Sequence, residues 1–148
     1  MMPANSGTGP VCFDWDEYKR WMRQATDTLE SAKVDADHAF FNWACFKAQQ
    51  AGEYAIKAIL HGLGYPAIGH SIVVLADRLK GLDVEIGDSL MADARLLDRH
   101  YIPPRYPNSY PSGSPLDYYD DPTSQQAIEA SRRVLRFVEN LANEAMEA

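Results

Sequence analysis

Gln50, Glu53 and Lys57 follow one another at steps of three and four residues, which puts all three on one face of a helix. A carboxylate and an ammonium at i, i+4 attract each other, and two uses are open to them. They can form a solvated ion pair worth roughly a few tenths of a kcal/mol. Or they can line a groove as a polar ledge, with Glu53 orienting Lys57 toward an anionic ligand. The run Tyr101-Ile-Pro-Pro-Arg105-Tyr106-Pro107-Asn108 is the second segment that could do chemistry. Prolines on both sides restrict its backbone, so Arg105 and Tyr106 are presented with little conformational entropy left to lose. A guanidinium fork suits a phosphate, and a phenol ring stacks on a base. The ordinary alternative pairs Arg105 with a surface carboxylate and buries Tyr106 in a gap of the core. As long cations at the surface, Lys57 and Arg105 are expected to tolerate truncation to alanine at a cost below about 0.5 kcal/mol.

Other chemistries fail on spacing. Gly62-x-Gly64-x-x-Ala67 has the outline of a dinucleotide fingerprint, but that site needs a strand before the glycines and a helix after them. Here the glycines follow a helical stretch and Pro66 lies inside the run, so they read as a helix cap. None of the eight glutamates has a histidine three residues later, as carboxylate-bridged iron in a helical bundle requires. His38, His61, His70 and His100 show no zinc-type spacing. Neither a metal nor a cofactor is expected.

The elements that must position these residues are helices. Asp14 with Glu17 marks a helix start, and Tyr18, Trp21, Met22, Ala25, Leu29 and Ala32 recur at helical steps as far as a polar break at Asp35–Asp37. A second helix is predicted from Phe40 to His61. Its stripe of Ala44, Ala48, Ala51, Ala55, Ala58 and Ile59 lets another helix approach closely. A third, short one begins near Ser71 and turns Ile72, Leu75 and Leu79 inward. Gly81–Gly87 then connects it to a fourth over Asp88–Tyr101, with Leu90, Ala94, Leu97 and Tyr101 as its inner face. Pro103 and Pro104 stop that helix. Six prolines and four tyrosines fill Ile102–Pro122, a stretch too long for a simple turn and of the kind that is either functional or disordered. Thr123 with Gln126 reads as a capping box that opens a last helix with Ile128, Leu135, Val138 and Ala142 inside. The predicted fold is all-α: an up-and-down antiparallel bundle of four long helices with one extra short helix, a single domain over 14–148 after a loose tail over 1–13.

Composition sets the outer limits. The chain of 148 residues carries 21 acidic and 14 basic side chains, a net charge of −7, which argues against general coating of DNA. Hydrophobic residues at 46% and charged ones at 24% are globular values, which excludes collagen-like and disordered classes. No apolar run approaches the ~18 residues of a membrane span, and the N-terminus lacks the basic and apolar halves of a signal peptide. Two cysteines, Cys12 and Cys45, make no disulfide framework, so a cytoplasmic setting is expected.

Three ordered landmarks carry a resemblance. Ala48-Gln49-Gln50-Ala51-x-Glu53-x-x-x-Lys57-Ala58-x-Leu60 resembles the second-helix motif of HEPN domains (higher eukaryotes and prokaryotes nucleotide-binding). His70-Ser71 before an apolar helix is similar to the family's next landmark, and Leu97-Asp98-x-x-Tyr101 leading into Arg105-Tyr106-Pro107-Asn108 resembles the third. The resemblance spans about Tyr18 to Leu141. It implies a helical bundle that often dimerises and occurs beside minimal nucleotidyltransferases in toxin–antitoxin or nucleotide-linked systems. Some relatives are metal-independent RNases marked by an arginine, four to six residues and a histidine. In these the RNA 2′-hydroxyl attacks, His assists proton transfer and Arg holds the phosphate.

Arg95 and His100 fit that spacing. Yet residues five apart on a helix diverge by about 140°, and Leu96 rather than a polar residue follows the arginine. The reading is therefore a non-catalytic HEPN-type module, a homodimer that binds a nucleotide, RNA or a minimal nucleotidyltransferase partner. Its site residues are Gln50, Glu53, Lys57, His70, Arg105 and Tyr106, with His70 either a ligand contact or merely a helix cap. The alternatives are an RNase toxin using Arg95 and His100, and a plain helical adaptor.

Overall fold

A computed structural model describes residues 12–147 and contains five α-helices: α1 (Trp15–Asp37), α2 (Phe41–Gly62), α3 (Ile72–Gly81), α4 (Asp88–Asp98) and α5 (Asp121–Glu147). Among the described residues there is no strand. Residues 1–11 of the expected tail lie outside the described residues. Phe13, assigned to that tail by its sequence, instead packs on Trp15 and Tyr18 with ring centroids 4.6 and 5.6 Å away.

α1 begins where its cap predicts, the Glu17 amide donating to Asp14 Oδ1 at 3.1 Å. Its buried stripe is Tyr18, Met22, Ala25, Leu29, Ala32 and Ala36, with Trp21 partly buried beside it. The helix runs on through the polar residues that predict a break at Asp35–Asp37. Ala36 continues the apolar stripe, and Asp35 gains an ion pair with Lys47 of α2 at 2.8 Å. The chain turns only at Ala39, which has a φ of 63°. α2 then folds back along α1: its last carbonyl, on Gly62, accepts from the Asp14 amide at 2.7 Å, while its first turns meet the end of α1 through Lys47.

α2 is the centre of the molecule and packs against all four other helices. Of its 22 residues 14 are buried, including the whole predicted alanine stripe, so polar side chains on this helix must find partners inside the protein. Gly52 lies at the contact with α3 and α4; a Cβ there would come within 2.9 Å of Ile72 Cδ1 and 3.0 Å of Leu97 Cδ1. The Gly62–Gly64 run ends α2 as a cap. Gly64 takes a φ of 89°, its amide donates to the His61 carbonyl, and the Tyr65 amide donates to that of Leu60.

Two elements differ in length or start from their sequence signals. α4 ends at Asp98 rather than Tyr101, because the turn before Pro103 begins early and delivers the Pro104 carbonyl to Asn42 Nδ2 at 3.0 Å. α5 starts at Asp121, ahead of the Thr123–Gln126 capping box. Asp120 takes the cap, its Oδ1 accepting from the Thr123 amide at 2.9 Å, and Pro122 sits in the first turn, where an amide hydrogen is not needed. The molecule thus has three long helices and two short ones, not four and one. The proline-rich stretch is folded on itself by two single helical turns, Pro107–Ser109 and Pro115–Asp117, and by Tyr110 stacked on Tyr118 at 4.0 Å. Among the described residues no helix is long and apolar enough to cross a membrane.

Candidate functional site

Glu53 is the node of the site. It is only 2% exposed, and its carboxylate accepts from Lys57 Nζ at 3.0 Å, so the i, i+4 pair is a buried one and not a solvated surface bridge. The sequence spacing is satisfied; the burial follows from the central place of α2. Glu53 Oε1 also lies 3.4 Å from Gln50 Nε2 and 3.5 Å from Gln49 Nε2, and Gln50 donates to Gln49 Oε1 at 2.7 Å. Gln49 in turn donates to the His70 carbonyl at 2.9 Å, fixing the backbone of that loop. His70 Nδ1 faces Glu53 Oε2 at 3.4 Å, while 60% of the histidine side chain remains exposed.

His70 does not cap α3. Ser71 does so, accepting from the Val74 amide at 3.1 Å. The remaining amides at this helix start go to Asp98 of α4: Oδ1 accepts from the Ile72 amide at 2.8 Å, and Oδ2 from the Val73 amide at 3.1 Å and the Ser71 hydroxyl at 2.8 Å. A carboxylate near the positive end of a helix dipole is favourably placed. Together Gln49 and Asp98 hold the chain from the His70 carbonyl to the Val73 amide.

The imidazole of His70 stacks on Tyr101 with centroids 4.9 Å apart and planes 16° from parallel. The guanidinium of Arg105 lies 4.7 Å from the centre of that same ring, 4.3 Å from Phe46 and 5.1 Å from Tyr106, and its Nε donates to the Tyr101 carbonyl at 2.8 Å. Among the described residues no carboxylate pairs with Arg105, and Tyr106 is 46% exposed rather than filling the core. Gln50, Glu53, Lys57, His70, Arg105 and Tyr106 thus form one continuous line of contacts through Tyr101. The line forms a ledge exposed at His70 and Tyr106, and a groove of about 380 Å³ is bounded by other residues, Leu60, Tyr65, Ile68 and Arg78.

No hydrogen bond or ion pair joins Arg95 to His100. Arg95 is exposed on α4, and its side chain makes no hydrogen bond or ion pair among the described residues. His100 lies beyond the end of that helix, its Nδ1 3.2 Å from the Tyr119 hydroxyl. Burial, reinforced by the charge of Arg99, lowers the His100 pKa from 6.5 to about 4, while burial raises that of Tyr119. Among the described residues no three His, Cys, Asp or Glu side chains cluster as metal ligands. Gln49, Asp98, Tyr101 and Phe46 complete the site beyond the residues singled out from spacing. Gln49 and Asp98 both stand in the motifs that carry the family resemblance, but neither motif shows what Asp98 does, since its partners start a helix 26 residues away in sequence.

An all-helical chain with this ledge meets the HEPN domain family model over residues 18–141, and the chain belongs to that family. Among solved structures it is similar to TT1696 from Thermus thermophilus, at 35% identity and a TM-score of 0.81 over 84% of this chain and 97% of that one. ST0689, an archaeal HEPN homologue, is 30% identical with a TM-score of 0.72, over 84% of this chain and 97% of that one. An HEPN domain protein of Thermotoga maritima, TM0613, is 35% identical with a TM-score of 0.69, over 84% and 98%. No curated protein matches the chain.

Proposed function

We propose that the protein is a non-catalytic HEPN-type binding module that takes a nucleotide, free or carried by a partner such as a minimal nucleotidyltransferase. The observation that carries this reading is the line Lys57–Glu53–His70–Tyr101–Arg105–Tyr106, which ends in an unpaired guanidinium beside an exposed phenol. Arg105 would meet phosphate and Tyr106 would stack on the base. Gln50, Glu53 and Lys57 act from beneath, holding His70 on Tyr101. This changes the part assigned to Lys57, whose ammonium is already engaged.

The non-catalytic half of the reading rests on Arg95 and His100. A general acid or base works best with a pKa near the operating pH. His100 is half-buried, bonded to Tyr119 and held at about 4, and no hydrogen bond or ion pair joins it to Arg95.

Calorimetric titration tests the binding. Arg105→Ala and Tyr106→Ala should each weaken nucleotide binding by about tenfold, equivalent to about 1.4 kcal/mol, with the helical circular dichroism unchanged. Unaltered affinity in both variants would remove the site. Incubation with labelled single-stranded RNA in EDTA tests the rest. Fragments ending in a 2′,3′-cyclic phosphate, lost in His100→Ala, would establish an RNase instead.

A further inference from the structure

Three features around His70 have the chemistry to hold an anion, and two are already filled from within the chain. Lys57 is the first, and its ammonium is neutralised by a carboxylate buried beside it at 3.0 Å. The N-terminus of α3 is the second. A helix start offers free amides and positive potential to a phosphate. Here the Asp98 carboxylate sits on the Ile72 and Val73 amides at 2.8 and 3.1 Å and excludes a second anion.

Arg105 is the third, and it is open. Phe46, Tyr101 and Tyr106 surround its guanidinium without neutralising it, and only Nε is bonded, to the Tyr101 carbonyl. Of the other basic groups on these elements, Lys47 is neutralised by Asp35 at 2.8 Å.

We infer that the ledge accepts a single phosphate group, and so takes nucleoside monophosphates with little added affinity for di- or triphosphates. This deepens the nucleotide-binding reading above and rests on it. The phosphate would sit against the free edge of Arg105, with the exposed edge of His70 as a second polar contact and the base on Tyr106. Each further phosphate would find Lys57 and the α3 amides already occupied. It would meet instead the charge of Asp98 and of a protein with net charge −7. Selection is thus built from internal carboxylates that occupy the neighbouring anion sites.

The test is calorimetric titration of the full chain with AMP, ADP, ATP and the corresponding guanosine series in magnesium-free buffer. Affinities within about threefold across each series, all lowered about tenfold or more by Arg105→Ala, are expected. Arg105→Met, which keeps an apolar stem against the rings, serves if the alanine variant fails to fold. Affinity climbing by more than about threefold per added phosphate overturns the inference while nucleotide binding stands. Retention of AMP affinity in the arginine variants overturns it as well. Failure of all six nucleotides to bind removes the nucleotide-binding reading itself, and this inference with it.

Discussion

A lysine ammonium taken out of water needs a counter-charge, and Lys57, 8% exposed, has it in Glu53. Truncation of one partner in a buried pair leaves the other uncompensated, at about 3–5 kcal/mol in dry interiors. The remaining amide and imidazole contacts of Glu53 soften that penalty. Lys57→Ala is therefore predicted to lower unfolding free energy by about 2–4 kcal/mol, not the small surface cost its sequence suggests. Urea unfolding measures this, and a change below about 0.5 kcal/mol would show the pair to be solvated after all. His100 gives a pH dependence of definite sign. Its folded-state pKa is depressed to about 4, so the unfolded chain takes up the proton first as pH falls. The stability it contributes is whole above about pH 6.5 and drains away as pH falls toward 4. Between pH 7 and 4.5 the native chain should lose about 2 kcal/mol more than His100→Asn, in which nothing titrates at this position. Equal losses in the two proteins would place His100 in water.

At the scale of the helix, stripes of apolar residues were legible and ends were not. Every inward position read from the periodicity of α5, and the whole alanine stripe of α2, is buried. Burial follows from a repeat that any window of sequence displays. An end depends on which of several competent caps the tertiary structure selects. Asp120, Thr123 and their neighbours all suit a helix start, and Asp120 prevails with Pro122 in the first turn. Asp120→Ala should lower the melting temperature by a few degrees, while Gln126→Ala, the partner in the box that does not form, should leave it unchanged. A larger effect of Gln126 would restore the later start. The site divides along the same line. Gln50, Glu53 and Lys57 share one helix, so spacing reveals them. Asp98 and Gln49 act across elements on the His70 loop, and their partners are set by packing that no local pattern records. Asp98→Ala should unfasten α3 at a cost of about 1–2 kcal/mol and speed hydrogen exchange at the Ile72 and Val73 amides. Unchanged exchange there would deny Asp98 its role as the cap.

For the whole molecule, the open question is what covers its aromatic edge. Phe40, Trp43, Ile102 and Tyr106 are 56, 43, 52 and 46% exposed. The bond from Asn42 to the Pro104 carbonyl brings together the α1–α2 turn and the proline-rich segment, which carry these side chains. Large apolar residues gathered in one patch mark an interaction surface more often than scattered ones do, and a second copy is the simplest self-complementary cover. We predict a homodimer in solution. Light scattering at tens of micromolar should return about twice the 16.6 kDa chain mass. Phe40→Ser combined with Trp43→Ser should shift the population toward the single chain without loss of helix content, since both side chains lie outside the core. Tyr106 belongs to this patch and Arg105 adjoins it, so association and nucleotide binding should be linked, each altering the other by the same factor. A native chain that scatters as 16.6 kDa throughout that range would end the dimer proposal and leave the patch to a different protein.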